Sequence, residues 1–431
     1  MRVLAFVILL GAVPPEDPPA RPRMGEFMGI NGHTVQFKPD LYSKVCRKAR
    51  DYHPLEWDLG KDSDFKTTFP EARNRVNWND VYGSWQKKGF ETNVSIMESG
   101  FKVEQWKDIP RDARAYGVAF AKAFGPTSGS KVVTSAEIFN EPGKYPDDKY
   151  REVFENMAKG LREGDPRLKI ATCNIIVGKS GGYEKSVDCV KGLESLYDIL
   201  NIHTYSLAKM WPSWRRSYPE DTTVNFVKPV TDLIAWRDQN AKGKEIWITE
   251  FGWDASTKPN KTTGDEAKWE GNVSDEKQAQ YLVRSYLVFS ALAVDRAYMY
   301  FFNDEDEPSF HAASGVTRHF QPKPSFHAMA HLYRSLGEYR LQKVVTSKPG
   351  ELFAYEYVHG ADAKKKMLVA WSPTGADRKA TAELPLGKGK LVRAERMPLT
   401  EGDVAPVDVP VKAGIASVAL DESPLYLWLQ E

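Results

Sequence analysis

The chain has 431 residues, 42% hydrophobic and 12% aromatic, with 59 basic and 58 acidic side chains that leave a formal net charge of +1. That balance gives no electrostatic handle for nucleic acid or an anionic membrane, and no stretch beyond the amino terminus is long and apolar enough to span a bilayer. The length suits one barrel of about 250 residues with insertions and an appended module better than one compact domain.

Met1-Arg2, an apolar run over 3–13 and a proline-rich polar stretch read as a secretory leader, basic first and then too short to cross a membrane. Residues 1–24 are therefore assigned to a leader and linker, and the protein is expected to be secreted or periplasmic. From Met28 the chain alternates in the βα manner, with strands expected at 29–35, 51–55, 92–97, 132–140, 168–173, 200–205, 246–250 and 297–302. Helical patterns cover 113–123, 148–160, 224–239, 275–293 and 325–336, and the helix between the first two strands is barely three turns. Eight strands with helices between them predict an α/β fold, a (β/α)8 TIM barrel over 25–338. Beyond Gly337 the pattern changes to strands alone, at 352–359, 366–372, 379–384, 391–397, 416–420 and 425–429, with turns at Gly360, Gly375, Gly387 and Gly402. This predicts an all-β sandwich over 339–431, packed on the barrel and joined by a strand lent from around Gly25. Cys46, Cys173 and Cys189 cannot all pair within one chain and lack metal-ligand spacing; with Cys173 on a strand and Cys189 on the helix after it, buried free thiols are expected.

Two strand ends carry the chemistry. The stretch 132–142 is a β-branched run ending on Asn140-Glu141 and broken at once by Pro142, which has no backbone donor and biases Glu141 away from helix. Glu245-Ile246-Trp247-Ile248-Thr249-Glu250-Phe251-Gly252-Trp253 has the same construction, with Gly252 turning the chain. Each puts a carboxylate at the carboxyl end of a strand, about three βα units from the other, where parallel barrels keep their active sites. Two carboxylates facing across a pocket are what cleavage of a glycosidic bond requires.

Asn140-Glu141-Pro142 together with Ile248-Thr249-Glu250-Phe251-Gly252 resembles the paired signature of the clan A retaining glycoside hydrolases, families 5 and 39 above all. The resemblance implies Glu141 as acid/base at the end of the fourth strand, Glu250 as nucleophile at the end of the seventh, and Asn140 as the residue that hydrogen-bonds the sugar's 2-hydroxyl. His203-Thr204-Tyr205, ending the sixth strand, resembles the histidine and tyrosine the clan places beside the nucleophile; Tyr205 would donate to Glu250 and keep it ionised. The carboxyl-terminal sandwich is similar to the domain common in family 39.

His33 at the first strand, with His53 and Trp57 around the second, joins the candidate substrate-binding set. Arg50 corresponds in kind to an arginine that family 5 keeps nearby, but its register leaves it outside that set. Where family 5 usually presents a tryptophan platform, the eighth strand reads Tyr300-Phe301-Phe302-Asn303-Asp304, so Trp253 or an aromatic of a neighbouring loop is the expected platform. The loop Met210-Trp211-Pro212-Ser213-Trp214-Arg215-Arg216-Ser217-Tyr218 sets aromatic faces beside two guanidinium forks, which suits an acidic or decorated glycan. Asp304-Glu305-Asp306-Glu307 lacks calcium-loop spacing and reads as a solvated turn or as partners for Arg215 and Arg216. The carbohydrate substrate is the one expected ligand, with no cofactor and no metal. Double displacement through a glycosyl-enzyme intermediate is the expected reaction, with the carboxyls ~5 Å apart. A transglycosylase would use the same residues, and a non-catalytic glycan-binding barrel would not need both glutamates.

Overall fold

The computed structural model describes residues 21–33, 38–64 and 66–431. The greater part of the expected leader, 1–20, and positions 34 and 35 of the first expected strand lie outside them. Eight parallel strands form a closed ring: β1 (Met28–Gly32), β2 (Lys48–Pro54), β3 (Glu91–Met97), β4 (Ser135–Ile138), β5 (Lys169–Ile176), β6 (Ile199–His203), β7 (Glu245–Glu250) and β8 (Arg296–Met299). Each pairs with its neighbours in order, and β8 closes on β1. The helices around the ring are α1 (Trp78–Gln86), α2 (Ile109–Phe124), α3 (Asp147–Gly164), α4 (Lys228–Asn240), α5 (Asp275–Ser290) and α6 (Pro324–Leu336).

Departures from expectation have local causes. β2 begins at Lys48, before its expected start, and β4 stops at Ile138 because Phe139 turns the chain with a φ of 71°. The helix between β1 and β2 shrinks to Pro39–Tyr42, whereas α1 was not expected. After β5 the chain makes the short strand Lys185–Ser186 and the 3-10 turn Val187–Cys189, so Cys189 stands on no α-helix. All three cysteines are buried free thiols.

The pleat of each strand sends alternate residues inward. Asn31, Arg50 and Asn93 lie abreast in register, and Tyr52, Ser95 and Glu137 form the next layer toward the carboxyl ends. Deeper in the ring Ala171, Ile199, Trp247 and Tyr298 make an apolar plug. The interior is therefore apolar around this plug and polar at its mouth. Outside it, α2 starts at Asp108, whose side chain accepts from Arg111 N at 3.0 Å, and buries Ala113, Tyr116, Phe120 and Phe124 at helical spacing. α2 crosses α3 closely, because a Cβ on Gly117 would lie 2.5 Å from Met157 O and one on Gly160 2.1 Å from Arg114 O.

Eight strands follow the barrel: β9 (Tyr339–Lys348), β10 (Leu352–His359), β11 (Lys365–Trp371), β12 (Ala380–Pro385), β13 (Lys390–Arg396), β14 (Val411–Lys412), β15 (Ile415–Leu420) and β16 (Leu425–Gln430). One antiparallel sheet runs β9-β10-β11-β16-β13 and the other β12-β15-β14, the two-sheet arrangement of a sandwich. β9 was not expected. Near Gly25 the chain lends no strand: Met24–Phe27 is a helical turn, joined by Gly25 N to Gly337 O at 3.0 Å and by a single Arg23–Arg340 bridge. The five-stranded sheet packs on α5, whose residues 278–290 are all buried. Inside that seam Arg284 sits between Glu220 and Glu422, and Trp371 Nε1 donates to Glu220 at 2.7 Å.

Candidate active site

Glu141 and Glu250 face each other at the carboxyl end of the ring. β7 delivers Glu250 as its last residue, opposite His203 of β6. Beyond β4, the left-handed Phe139 costs about 1–3 kcal/mol for a residue with a Cβ; its buried ring, 5.0 Å from Tyr145, helps hold the turn that presents Asn140 and Glu141. Asn140 is anchored through its N–H, which donates to Glu98 Oε2 at 2.9 Å, and through its Oδ1, which accepts from Arg50 at 2.7 Å.

Glu250 collects donors on both oxygens. Arg50 Nη1 reaches Oε1 at 3.1 Å and Tyr52 OH reaches it at 2.7 Å, while Tyr205 OH donates to Oε2 at 2.8 Å. Burial alone would raise this carboxyl, but the charges of His203 and Arg50 and the two tyrosine hydroxyls win and hold it at about 2. Arg50 is itself fully buried and held by Glu137 through bonds of 2.8 and 2.7 Å.

Glu141 is treated oppositely. Burial raises its pKa, and the charge of Glu250 adds to the rise against the pull of His203. His203 Nδ1 lies 2.8 Å from Glu141 Oε1 and 3.6 Å from Glu250 Oε2, and the two carboxylates raise the imidazole's pKa against its own burial. Glu141, His203 and Glu250 offer ligand atoms within 4.8 Å of one another, the one such trio among the described residues. A cation fits this set poorly: both Glu250 oxygens already accept hydrogen bonds, the Arg50 guanidinium touches one of them, and His203 is driven toward its protonated form. The trio suits proton transfer.

Of the other residues singled out in the sequence, Asn140, His203 and Tyr205 lie in this cluster, and His33 stacks on Tyr52 with ring centroids 5.3 Å apart. Three do not. His53 points outward, stacks on Trp78 at 3.9 Å and is bonded to Asp58 and Tyr82, because it has the opposite strand parity from Arg50 and Tyr52. Trp57 stacks on that same Trp78 at 5.8 Å. Trp253 cannot be a platform, since it is fully buried against Phe226 and Tyr281 with its indole N–H on Ser217 O. Tyr300, half-buried beside His33 and Tyr52, is the aromatic that β8 brings to the mouth.

Sequence reasoning missed Tyr52, Glu137 and Glu98, and set Arg50 aside. A signal existed for the first two: arginine and tyrosine two apart on a buried strand share a face, and a buried arginine needs a counter-ion. The acidic turn is also resolved differently. Asp304 pairs with Lys323, Glu305 with His319, Asp306 with Arg318 and Glu307 with Lys258, while Arg216 is buried on Asp254 at 3.3 Å and Arg215 is exposed.

No family model and no curated protein matches the chain. Solved structures do. A family 39 glycoside hydrolase from the gut symbiont Bacteroides cellulosilyticus WH2 is similar at a TM-score of 0.69 and 18% identity, over 95% of this chain and 81% of that one. A glucosidase from Croceicoccus marinus gives 0.65 and 12%, over 96% and 97% of the two chains. An α-L-arabinofuranosidase from Thermotoga maritima gives 0.64 and 10%, over 96% and 98%. At these identities the likeness is one of fold, and it spans barrel and sandwich together.

Proposed function

We propose that the protein is a retaining glycoside hydrolase. The observation that carries the reading is a pair of carboxyls with oxygens within 4.8 Å, one driven toward its proton and the other held ionised. Retaining enzymes space their pair at about 5 Å, whereas inverting ones leave room for a water. Glu250 attacks the anomeric carbon; the bond to the departing oxygen breaks, and Glu141 gives that oxygen its proton. Water then attacks the glycosyl ester, Glu141 takes the water's proton, and Glu250 is freed. Arg50, Tyr52 and Tyr205 keep the nucleophile charged and aimed. The solved structures similar in fold, which include a glucosidase and an arabinofuranosidase, support the reaction class and leave the sugar open.

The test is a panel of aryl glycosides and polysaccharides, acidic and sulfated ones included because Arg215 and Trp211, on the same loop, are both exposed. Glu141→Ala should lose most activity and regain it with azide, giving a glycosyl azide of retained configuration. Glu250→Gln should lose about 10⁴-fold or more in kcat; full activity in that variant would overturn the proposal. Binding of a glycan by the wild type without cleavage of any substrate would favour a glycan-binding barrel. Export, proposed on the basic and then apolar opening of the sequence, is tested by following the full chain in a secretion assay.

A further inference from the structure

Glu141 and Asn140 form part of the wall of a cavity of about 620 Å³, whose lining does not include Glu250. The cavity runs between the loops that follow β3 and β4, with Gly182 and Tyr183 at its edge. An acid that protonates a departing oxygen stands on the leaving-group side of the bond, and the nucleophile stands on the far face of the anomeric carbon. The space on which Glu141 opens is therefore where the leaving group must go. The Glu141 side chain is 26% exposed, and that of Glu250 only 8%.

The lining selects among leaving groups. Met97, Phe101, Val103, Pro142 and Tyr183 make most of it apolar. Its inner polar groups are already engaged: Glu98 accepts from Asn140 N, the Asn140 amide oxygen accepts from Arg50, and Tyr145 OH donates to Phe101 O at 2.5 Å. Ser99, Lys102, Glu104 and Lys144 also line the cavity, but they are exposed at its rim, so its free polar groups gather at the opening. A sugar seated further in would bring hydroxyls around its whole edge, and buried hydroxyls without partners are costly. A flat apolar ring would not. The walls are also preformed, since a Cβ on Gly143 would fall 1.9 Å from Gly182 O, so the loops after β4 and β5 meet backbone to backbone and set Tyr183 at the rim with 52% of its surface exposed.

We infer that this cavity is the leaving-group site and that it takes an apolar, ring-bearing aglycone laid against Tyr183, not a further run of sugar. The size lies in the range of small-molecule sites. The inference rests on the acid role proposed for Glu141. Free 4-methylumbelliferone, titrated into the full-length protein and followed by fluorescence anisotropy, should bind saturably, and Tyr183→Ala should weaken it at least fivefold. Because Tyr183 is exposed, this change leaves the fold intact, which its circular dichroism should show. Among cleaved substrates, Tyr183→Ala should reduce kcat/KM for the umbelliferyl glycoside more than for a disaccharide of the same glycone. Absence of saturable binding, binding indifferent to Tyr183, or an equal loss on both substrates would overturn the inference. Tyr183-dependent binding without cleavage of any glycoside would keep the cavity as an apolar-ring site and overturn the role of Glu141, so the two failures are distinguishable.

Discussion

Arg50 sets the charge of the site. Its guanidinium neutralises Glu137 below and touches Glu250 above, so one buried cation answers two carboxylates. Arg50→Lys keeps the charge but loses the fork; kcat/KM should fall by about 10²–10³-fold, as when a preorganised donor is removed. A loss under tenfold in steady-state kinetics would take Arg50 out of this role. The protonation states fix a pH profile. The proposed reaction needs Glu250 without its proton and Glu141 with it. With Glu250 held at about 2, kcat/KM should stay level through the mildly acidic range. It should decline as pH rises through the elevated value of Glu141, with an apparent pKa belonging to the Glu141–His203 pair. Glu141→Gln, assayed on an aryl glycoside whose leaving group needs no acid, should lose that basic limb. At this scale Glu141 and Glu250 stood out because Pro142 and Gly252 break the two apolar runs, although β4 itself stops at Ile138, three residues before Glu141. Arg50 and Tyr52 were not, because the second strand was read from 51 and its inward face was left unphased. The same missing phase put His53 in the candidate set, although its parity faces the helices.

The elements are placed by where their small residues allow approach. α2 and α3 cross at Gly117 and Gly160, and α3 follows directly from the loop that carries Glu141. Gly117→Ala would press a methyl into the Met157 carbonyl, which cannot swing aside as a flexible side chain would. We expect a loss of about 1–3 kcal/mol in denaturant unfolding, the usual range for overpacking; an unchanged midpoint would mean the crossing has slack. The longer helices were legible from their apolar spacing, and α2 and α3 contain the stretches expected for them. β9 was not legible, because Tyr339–Lys348 is an edge strand with one buried residue, polar at six of its ten positions and with no clean alternation. Trp253 misled for a related reason: a tryptophan just after a catalytic strand looks like a platform until the turn at Gly252 carries it behind the barrel wall.

Barrel and sandwich behave as one body, since a single apolar core runs from Ile30 and Ile248 through Tyr286 to Tyr357, Val369 and Tyr426. The switch from helix-and-strand to strand alone beyond Gly337 made both parts legible, but nothing in the sequence announced that Arg284, Glu220 and Glu422 meet between them. Arg284→Ala would leave two buried carboxylates without their cation, and the expected cost is about 3–5 kcal/mol. Thermal unfolding of the wild type should be one transition by both near- and far-UV circular dichroism. Two separated transitions would mean the seam does not couple the parts. The strand order has a further consequence for a chain made on a ribosome. β16 lies between β11 and the edge strand β13, and Glu422 stands just ahead of it. Every barrel strand emerges long before either, so a nascent barrel waits with Arg284 lacking one partner and its α5 face uncovered. Polypeptides stalled short of β16 would show that face to the folding machinery of the cell, which gives truncated products a mark that the finished protein hides.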